Sequence, residues 1–85
     1  MKTVTLYTSP SCGFGLAAKR LLGKKGVAVE EVDVVADPAR RAEMVQRAGG
    51  RTTVPQIFIG DTHVGGFSEM ATLDFEGRLD RMLAE

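Results

Sequence analysis

Apolar and polar residues alternate at the start of the chain. In residues 2–8, Lys-Thr-Val-Thr-Leu-Tyr-Thr, Val4 and Leu6 oppose Thr3, Thr5 and Tyr7, a period of two that predicts a strand. Pro10 and Ser11 interrupt it and prepare a helix start. From Gly13 to about Lys25 the period lengthens. Phe14, Ala17, Ala18, Leu21 and Leu22 follow the i, i+3, i+4, i+7, i+8 spacing of one buried helix face. Lys19, Arg20, Lys24 and Lys25 fall towards the other face and the C-terminal end, where cations suit the helix dipole. Gly26 suits helix termination. Residues 27–34, Val-Ala-Val-Glu-Glu-Val-Asp-Val, predict a second strand. A helix between two strands is a βαβ unit, which implies parallel pairing and a right-handed crossover.

Asp37-Pro38 supplies an N-cap followed by proline at the first helical position, and this second helix runs to about Ala48, where Gly49-Gly50 ends it. Residues 51–55, Arg-Thr-Thr-Val-Pro, break the regular pattern. Gln56-Ile57-Phe58-Ile59 is a short apolar run, Gly60-Asp61 a turn signal and Thr62-His63-Val64 a further short strand, so the last two strands are antiparallel. After Gly65-Gly66, Ser68 reads as the N-cap of a closing helix with Glu69 in its first turn and Met70, Leu73, Leu79, Met82 and Leu83 on its apolar side. Gly77 weakens that helix by about 1 kcal/mol relative to alanine and predicts a bend or break. The order is β-α-β-α-β-β-α: an α/β fold with a four-stranded mixed sheet covered by three or four helices, all in one domain spanning residues 1–85.

Charge narrows the function classes. The formal net charge is zero, which argues against nucleic acid as the main partner. Residues 1–51 carry nine Lys/Arg against five Asp/Glu, and residues 52–85 two against six. This asymmetry reads either as two differently charged solvated faces or as an electropositive surface near Cys12 that helps anionic ligands. No stretch approaches the roughly 20 apolar residues of a membrane span. Lys2 leads straight into strand-like alternation, so no signal peptide is expected. One cysteine and no disulfide framework point to the reducing cytoplasm.

That cysteine, Cys12, stands where the first strand gives way to the first helix. Unpaired N–H groups and the positive end of the helix dipole favour a thiolate there, and the thiolate is the nucleophile and the metal ligand. The alternative is a small buried hydrophobe, which free cysteines often are. One cysteine closes no disulfide within its own chain, so its chemistry needs an outside partner. His63 and Tyr7 are given no role beyond structure and packing, and Lys24-Lys25 reads as a solvated helix end.

Three blocks, in this order of elements, resemble the glutaredoxins of the thioredoxin fold. They are Tyr7-Thr8 followed by Cys12-Gly13-Phe14-Gly15; Arg51-Thr52-Thr53-Val54-Pro55-Gln56-Ile57-Phe58-Ile59-Gly60; and Gly65-Gly66-Phe67-Ser68-Glu69. The resemblance covers essentially the whole chain. It implies a thioredoxin-like fold, a cis proline at Pro55 and a glutathione site around the thiol. In that frame Cys12 is the nucleophile, Phe14 flanks it, Thr53-Val54-Pro55 frame the glutathione site, and the Val54 backbone pairs with the tripeptide. Phe67 and Ser68 offer backbone N–H groups to the γ-glutamyl carboxylate, Gly66 permits close approach, and Arg51 suits the glycyl carboxylate.

Departures from the family pattern shape the mechanism. Gly15 stands where dithiol members carry a second cysteine, Gly13 where they carry proline, Ser9 where many carry lysine, and Ser68 where an acidic residue is usual. Gly15 reads equally as drift at a helix position tolerant of small residues and as an engineered replacement of a resolving cysteine. Gly13 relaxes the loop or removes a proline that hinders cluster assembly. Cys12-Gly13-Phe14-Gly15 is one residue from the Cys-Gly-Phe-Ser of the monothiol class, but the extra loop residues and the Trp-Pro of that class are missing. The body is that of the short bacterial dithiol type. The resemblance therefore implies a glutathione-dependent monothiol oxidoreductase acting on glutathionylated proteins as a monomer. Its rival is a carrier in which Cys12 of two copies and two glutathiones hold a [2Fe–2S] cluster in a homodimer. A glutathione-binding module of low activity is the third reading.

Overall fold

The computed structural model describes residues 1–85. Strands β1 (Val4–Thr8), β2 (Val29–Asp33), β3 (Gln56–Ile59) and β4 (Thr62–Gly65) form one sheet in the order β2-β1-β3-β4. β1 is parallel to β2 and antiparallel to β3, and β3 is antiparallel to β4, so the sheet is mixed as expected. The helices are α1 (Gly13–Lys24), α2 (Pro38–Arg47), α3 (Phe67–Phe75) and α4 (Leu79–Ala84).

The closing helix is thus two helices. Gly77 separates them at φ +74, in the left-handed region that side chains with a Cβ avoid. The second helix starts as the sequence predicts. The Asp37 side chain accepts from the Arg40 N–H, and Pro38 occupies the first helical position, where its missing N–H costs nothing.

Strand alternation sorts the apolar side chains into two cores. Val4, Leu6, Ile57 and Ile59 join Ala18, Leu22, Met70, Leu79 and Leu83 against α1, α3 and α4. Tyr7, Val32, Val34 and Phe58 join Met44 and Ala48 against α2. Tyr7 is therefore a core residue on the second face, and β1 is buried on both sides over Leu6–Thr8. Its hydroxyl donates to Glu43 Oε2 and accepts from Arg47 Nη1 at 2.8 Å. The Tyr7 hydrogen bond, followed by Arg40, holds the Glu43 carboxyl below its ordinary value.

Two expectations need correction. Phe14 is not on the buried face of α1; it is 67% exposed, and the buried positions of that helix are Gly15, Ala18 and Leu22. Lys25 is not a free solvated end. Its Nζ lies 2.7 Å from Asp74 Oδ1 and 2.7 Å from Asp80 Oδ1, tying the end of α1 to α3 and α4.

Candidate functional site

Cys12 ends the turn that leaves β1. Its N–H donates to the Ser9 carbonyl at 3.1 Å, and its own carbonyl accepts from the Leu16 N–H at 3.1 Å. The sulfur takes the N-cap role, accepting from the Gly15 N–H at 3.2 Å. An N-cap side chain normally offers oxygen to this orphan donor; here the half-buried thiol does so, at the positive end of α1. Gly15 is buried against β1, and a Cβ built on it would stand 2.1 Å from Thr8 Oγ1. The position where a resolving cysteine would sit is thus filled by the Thr8 side chain.

Phe14 follows the thiol by two residues and faces α3. Its ring stacks with that of Phe67, centroids 6.2 Å apart and planes at 24°. As the second residue of α1 it precedes the first buried turn, so helical spacing alone assigned it to the core. Below this pair lies a cleft of about 180 Å³ lined by Phe14, Arg51, Thr53, Val54, Pro55, Gly66, Phe67, Ser68 and Glu69. All eight positions named from the sequence around the thiol meet there. Cys12 itself does not line this cleft but a separate recess of about 360 Å³, with Thr8, Ser9, Pro10, Ser11, Gly13, Leu16, Lys19 and Glu31. A larger recess of about 560 Å³ borders the cleft through Ser68 and Glu69, and of the eight positions named from the sequence around the thiol it contains only Ser68.

One wall is an open backbone edge. The Val54–Pro55 bond is cis, as the resemblance implies. Neither the N–H nor the carbonyl of Val54 has a backbone partner, so an extended peptide can pair with both. The opposite wall is the start of α3. Here the sequence placed the cap at Ser68, but the helix begins at Phe67 with Gly66 as N-cap. Glu69 decides this. Its Oε1 accepts from the Gly66 N–H at 2.7 Å, the reaching-back half of a capping box, which makes Glu69 the third helical residue. Ser68 sits inside the first turn and donates its hydroxyl to Glu69 Oε2 at 2.6 Å. Gly66 has no side chain to cap the next N–H groups, so those of Phe67 and Ser68 lack a capping side chain.

Glu69 is the site residue that sequence reasoning missed; the spacing Gly66-x-x-Glu69 was the available signal. Its Oε1 also accepts from Arg51 Nη1 at 3.0 Å. The Ser68 hydroxyl, then the Gly66 N–H, then Arg51 hold its carboxyl down at about 2. The cations flanking the thiol therefore have carboxylate partners: Arg51 has Glu69 at 3.0 Å and Lys19 has Glu31 at 3.0 Å. The basic surplus of the first 51 residues does not converge on Cys12 as an uncompensated field. No group of three or more His, Cys, Asp or Glu side chains is placed to hold a metal ion, and no helix is long and apolar enough to cross a membrane.

Comparison with known proteins agrees with this geometry. The glutaredoxin family model matches residues 4–64. The chain is 52% identical over 84 residues to a glutaredoxin of Neisseria meningitidis, covering 98% of both chains. The solution structure of a glutaredoxin from Brucella melitensis superposes with a TM-score of 0.83 at 48% identity, over 98% of this chain and 89% of that one. The crystal structure of a buckwheat glutaredoxin–glutathione complex gives a TM-score of 0.86 at 26% identity, over 95% of this chain and 76% of that one.

Proposed function

Because the chain belongs to the glutaredoxin family of redox thiol oxidoreductases and has its thioredoxin-like fold, we propose that it is a glutathione-dependent monothiol oxidoreductase that cleaves mixed disulfides between glutathione and other thiols. The observation that carries this reading is the placement of the sole thiol. Cys12 heads α1 two residues before Phe14, which lines a cleft shared by the open Val54 edge and the start of α3. A solved relative with 26% identity is a glutaredoxin–glutathione complex, which supports glutathione as the occupant.

The reaction runs in two exchanges. The Cys12 thiolate attacks the glutathione sulfur of a glutathionylated partner, forming Cys12–S–S–glutathione and expelling the partner thiolate, which takes a proton from water. A second glutathione thiolate attacks the glutathione sulfur of that intermediate, releasing oxidised glutathione and restoring the Cys12 thiolate. Through both steps the Val54 edge holds the tripeptide backbone, and the Phe67 and Ser68 N–H groups meet its γ-glutamyl carboxylate. Arg51 meets the glycyl carboxylate, while Thr53, Pro55, Gly66 and the Phe14 ring shape the cleft. With Gly15 in place of a second thiol, no group in the chain resolves the intermediate, so glutathione must. The partners are glutathione and glutathionylated proteins, and a lone thiol suits a reducing cytoplasm.

The test is turnover of a glutathione mixed disulfide with glutathione as reductant, in the wild type and in Cys12→Ser. The wild type should exceed the variant by orders of magnitude, and equal rates would sink this reading. Binding of glutathione without turnover would leave a binding module only.

The rim of the thiol favours a second reading. Phe14 and Leu16, in the first turn of α1 after the half-buried Cys12, are 67% and 48% exposed, an apolar surface that a second copy would cover. In such a dimer, two Cys12 thiolates and two glutathione thiolates would complete the four sulfur ligands of a [2Fe–2S] cluster, which would travel as cargo. Anaerobic reconstitution with glutathione should then give a coloured dimer. A colourless monomer excludes it.

A further inference from the structure

The segment Thr53–Pro55 forms one wall of the cleft yet belongs to no strand or helix. What holds it is a buried side chain outside the cleft. Gln56, the first residue of β3, is fully buried, and its Nε2 donates to the Thr53 carbonyl at 3.0 Å and approaches Thr53 Oγ1 at 3.2 Å. A carbonyl only accepts, so the amide is oriented with nitrogen towards Thr53 and oxygen away from it. That oxygen lies 2.7 Å from His63 Nε2. It too only accepts, so Nε2 carries the proton and His63 is the Nε2–H tautomer.

His63 is held in turn. It faces Phe58 across the β3–β4 ladder, and the two rings stack with centroids 4.8 Å apart and planes at 23°. Phe58 is buried, with the Tyr7 ring edge-on at 5.6 Å and the Arg47 guanidinium 4.1 Å from its ring centroid. The hydrogen bonds run in one direction, from the stacked His63 through Gln56 to Thr53.

We propose that His63 and Gln56 are positioning residues for the cleft, a brace that fixes the Thr53–Val54 backbone where an extended thiol peptide pairs with it. This rests on the reading of the cleft as the glutathione site. Neither residue touches the substrate. Their effect falls on how well the edge is presented, and so on substrate binding before the sulfur chemistry. No buried side-chain polar atom in the chain lacks a partner, and removing the His63 donor would orphan the Gln56 oxygen in a place water does not reach. Burial and then the Arg51 charge lower the His63 pKa, which accords with a neutral ring. Protonation would leave the Nε2–H donor in place.

The experiment compares His63→Phe, which keeps a ring on Phe58 and deletes the donor, with His63→Gln, which returns an amide N–H donor. Kinetics use a glutathione mixed disulfide of a small thiol; melting temperatures and amide NMR spectra of the full chain accompany them. His63→Phe should raise KM about fivefold, the factor equivalent to about 1 kcal/mol for one hydrogen bond. Its kcat should be unchanged, and the Thr53 and Val54 amide signals should shift. His63→Gln should return KM to within about twofold of the wild type. An unchanged KM in His63→Phe overturns the brace, as does a KM rise that His63→Gln leaves in place or one accompanied by a matching fall in kcat. His63→Met, which deletes the donor with less bulk, replaces the phenylalanine variant if that fails to fold. If the wild type shows no Cys12-dependent turnover, the functional reading fails separately. The NMR shifts then decide the brace alone, and unmoved Thr53 and Val54 amides overturn it.

Discussion

Replacing Glu69 with glutamine removes a charge and keeps the shape, including an oxygen able to accept from the Gly66 N–H. What it loses is the ionic share of three contacts: Ser68 Oγ at 2.6 Å, Gly66 N at 2.7 Å and Arg51 Nη1 at 3.0 Å. The carboxyl is held down from 4.5 to about 2 in the folded chain. At about 1.4 kcal/mol per unit, that depression sets a ceiling of roughly 3 kcal/mol. The side chain is 43% exposed, however. Screening by water reduces the contribution to about 1 kcal/mol. The sign follows from the direction. A carboxyl with its folded value below its unfolded one adds stability that is complete above about 4.5 and is lost as pH falls through about 2. Below that range the wild-type side chain is a neutral acid, nearly isosteric with glutamine. At pH 7, Glu69→Gln should melt about 4–8 °C below the wild type, the shift that about 1 kcal/mol produces in a domain of this size. Thermal and urea unfolding from pH 7 down to pH 2.5 should show the two curves converging. Equal melting temperatures at pH 7, or a gap that stays constant down to pH 2.5, would refute the assignment of a stabilising charge at the head of α3.

Gly15→Ala should cost about 1–3 kcal/mol, because the new methyl meets Thr8 Oγ1 at 2.1 Å in a closed space. In a Thr8→Ala background the Oγ1 clash is removed, leaving a 3.2 Å approach to the Cβ of residue 8, and the cost of Gly15→Ala should fall well below its value beside Thr8 as the helix preference of alanine offsets the remaining crowding. A urea double-mutant cycle reads this coupling, and additive effects would contradict it. Lys25→Met should lower the melting temperature by severing α1 from Asp74 and Asp80. Hydrogen bonds to Asp74 and then Asp80 raise the Lys25 pKa, so its contribution is full below the unfolded value of 10.5 and is lost as pH rises through the folded one. The gap to wild type should narrow only above that value, and a gap that closes between pH 7 and 9 would tell against it.

Much of the fold was legible because its signals are local. Asp37-Pro38 starts a helix by its own chemistry, Gly77 breaks one by its own backbone, and the alternation of Val4 and Leu6 fixes which face of β1 meets α1. The misreadings arose where distant groups decide. Ser68 has the chemistry of an N-cap, but Glu69 claims the Gly66 N–H and moves the helix start two residues back. Phe14 fits the apolar spacing of α1, and spacing does not distinguish a core position from a cleft wall completed by Phe67. Lys25 looks like any helix-end lysine, since Asp74 and Asp80 reach it only through the packing of α1 on α3 and of α3 on α4. The eight cleft positions came from three separated sequence blocks, and the fold joins them by setting the Thr53–Pro55 edge opposite the start of α3.

The N–H that reaches Cys12 Sγ comes from the main chain of Gly15, not from any side chain. Every amino acid except proline would supply it. The donor group is therefore insulated from point mutation: a saturation scan at position 15 probes the space against Thr8, while nineteen of twenty residues still carry the N–H. Heredity can change what surrounds this sulfur far more easily than it can withdraw the group that caps it.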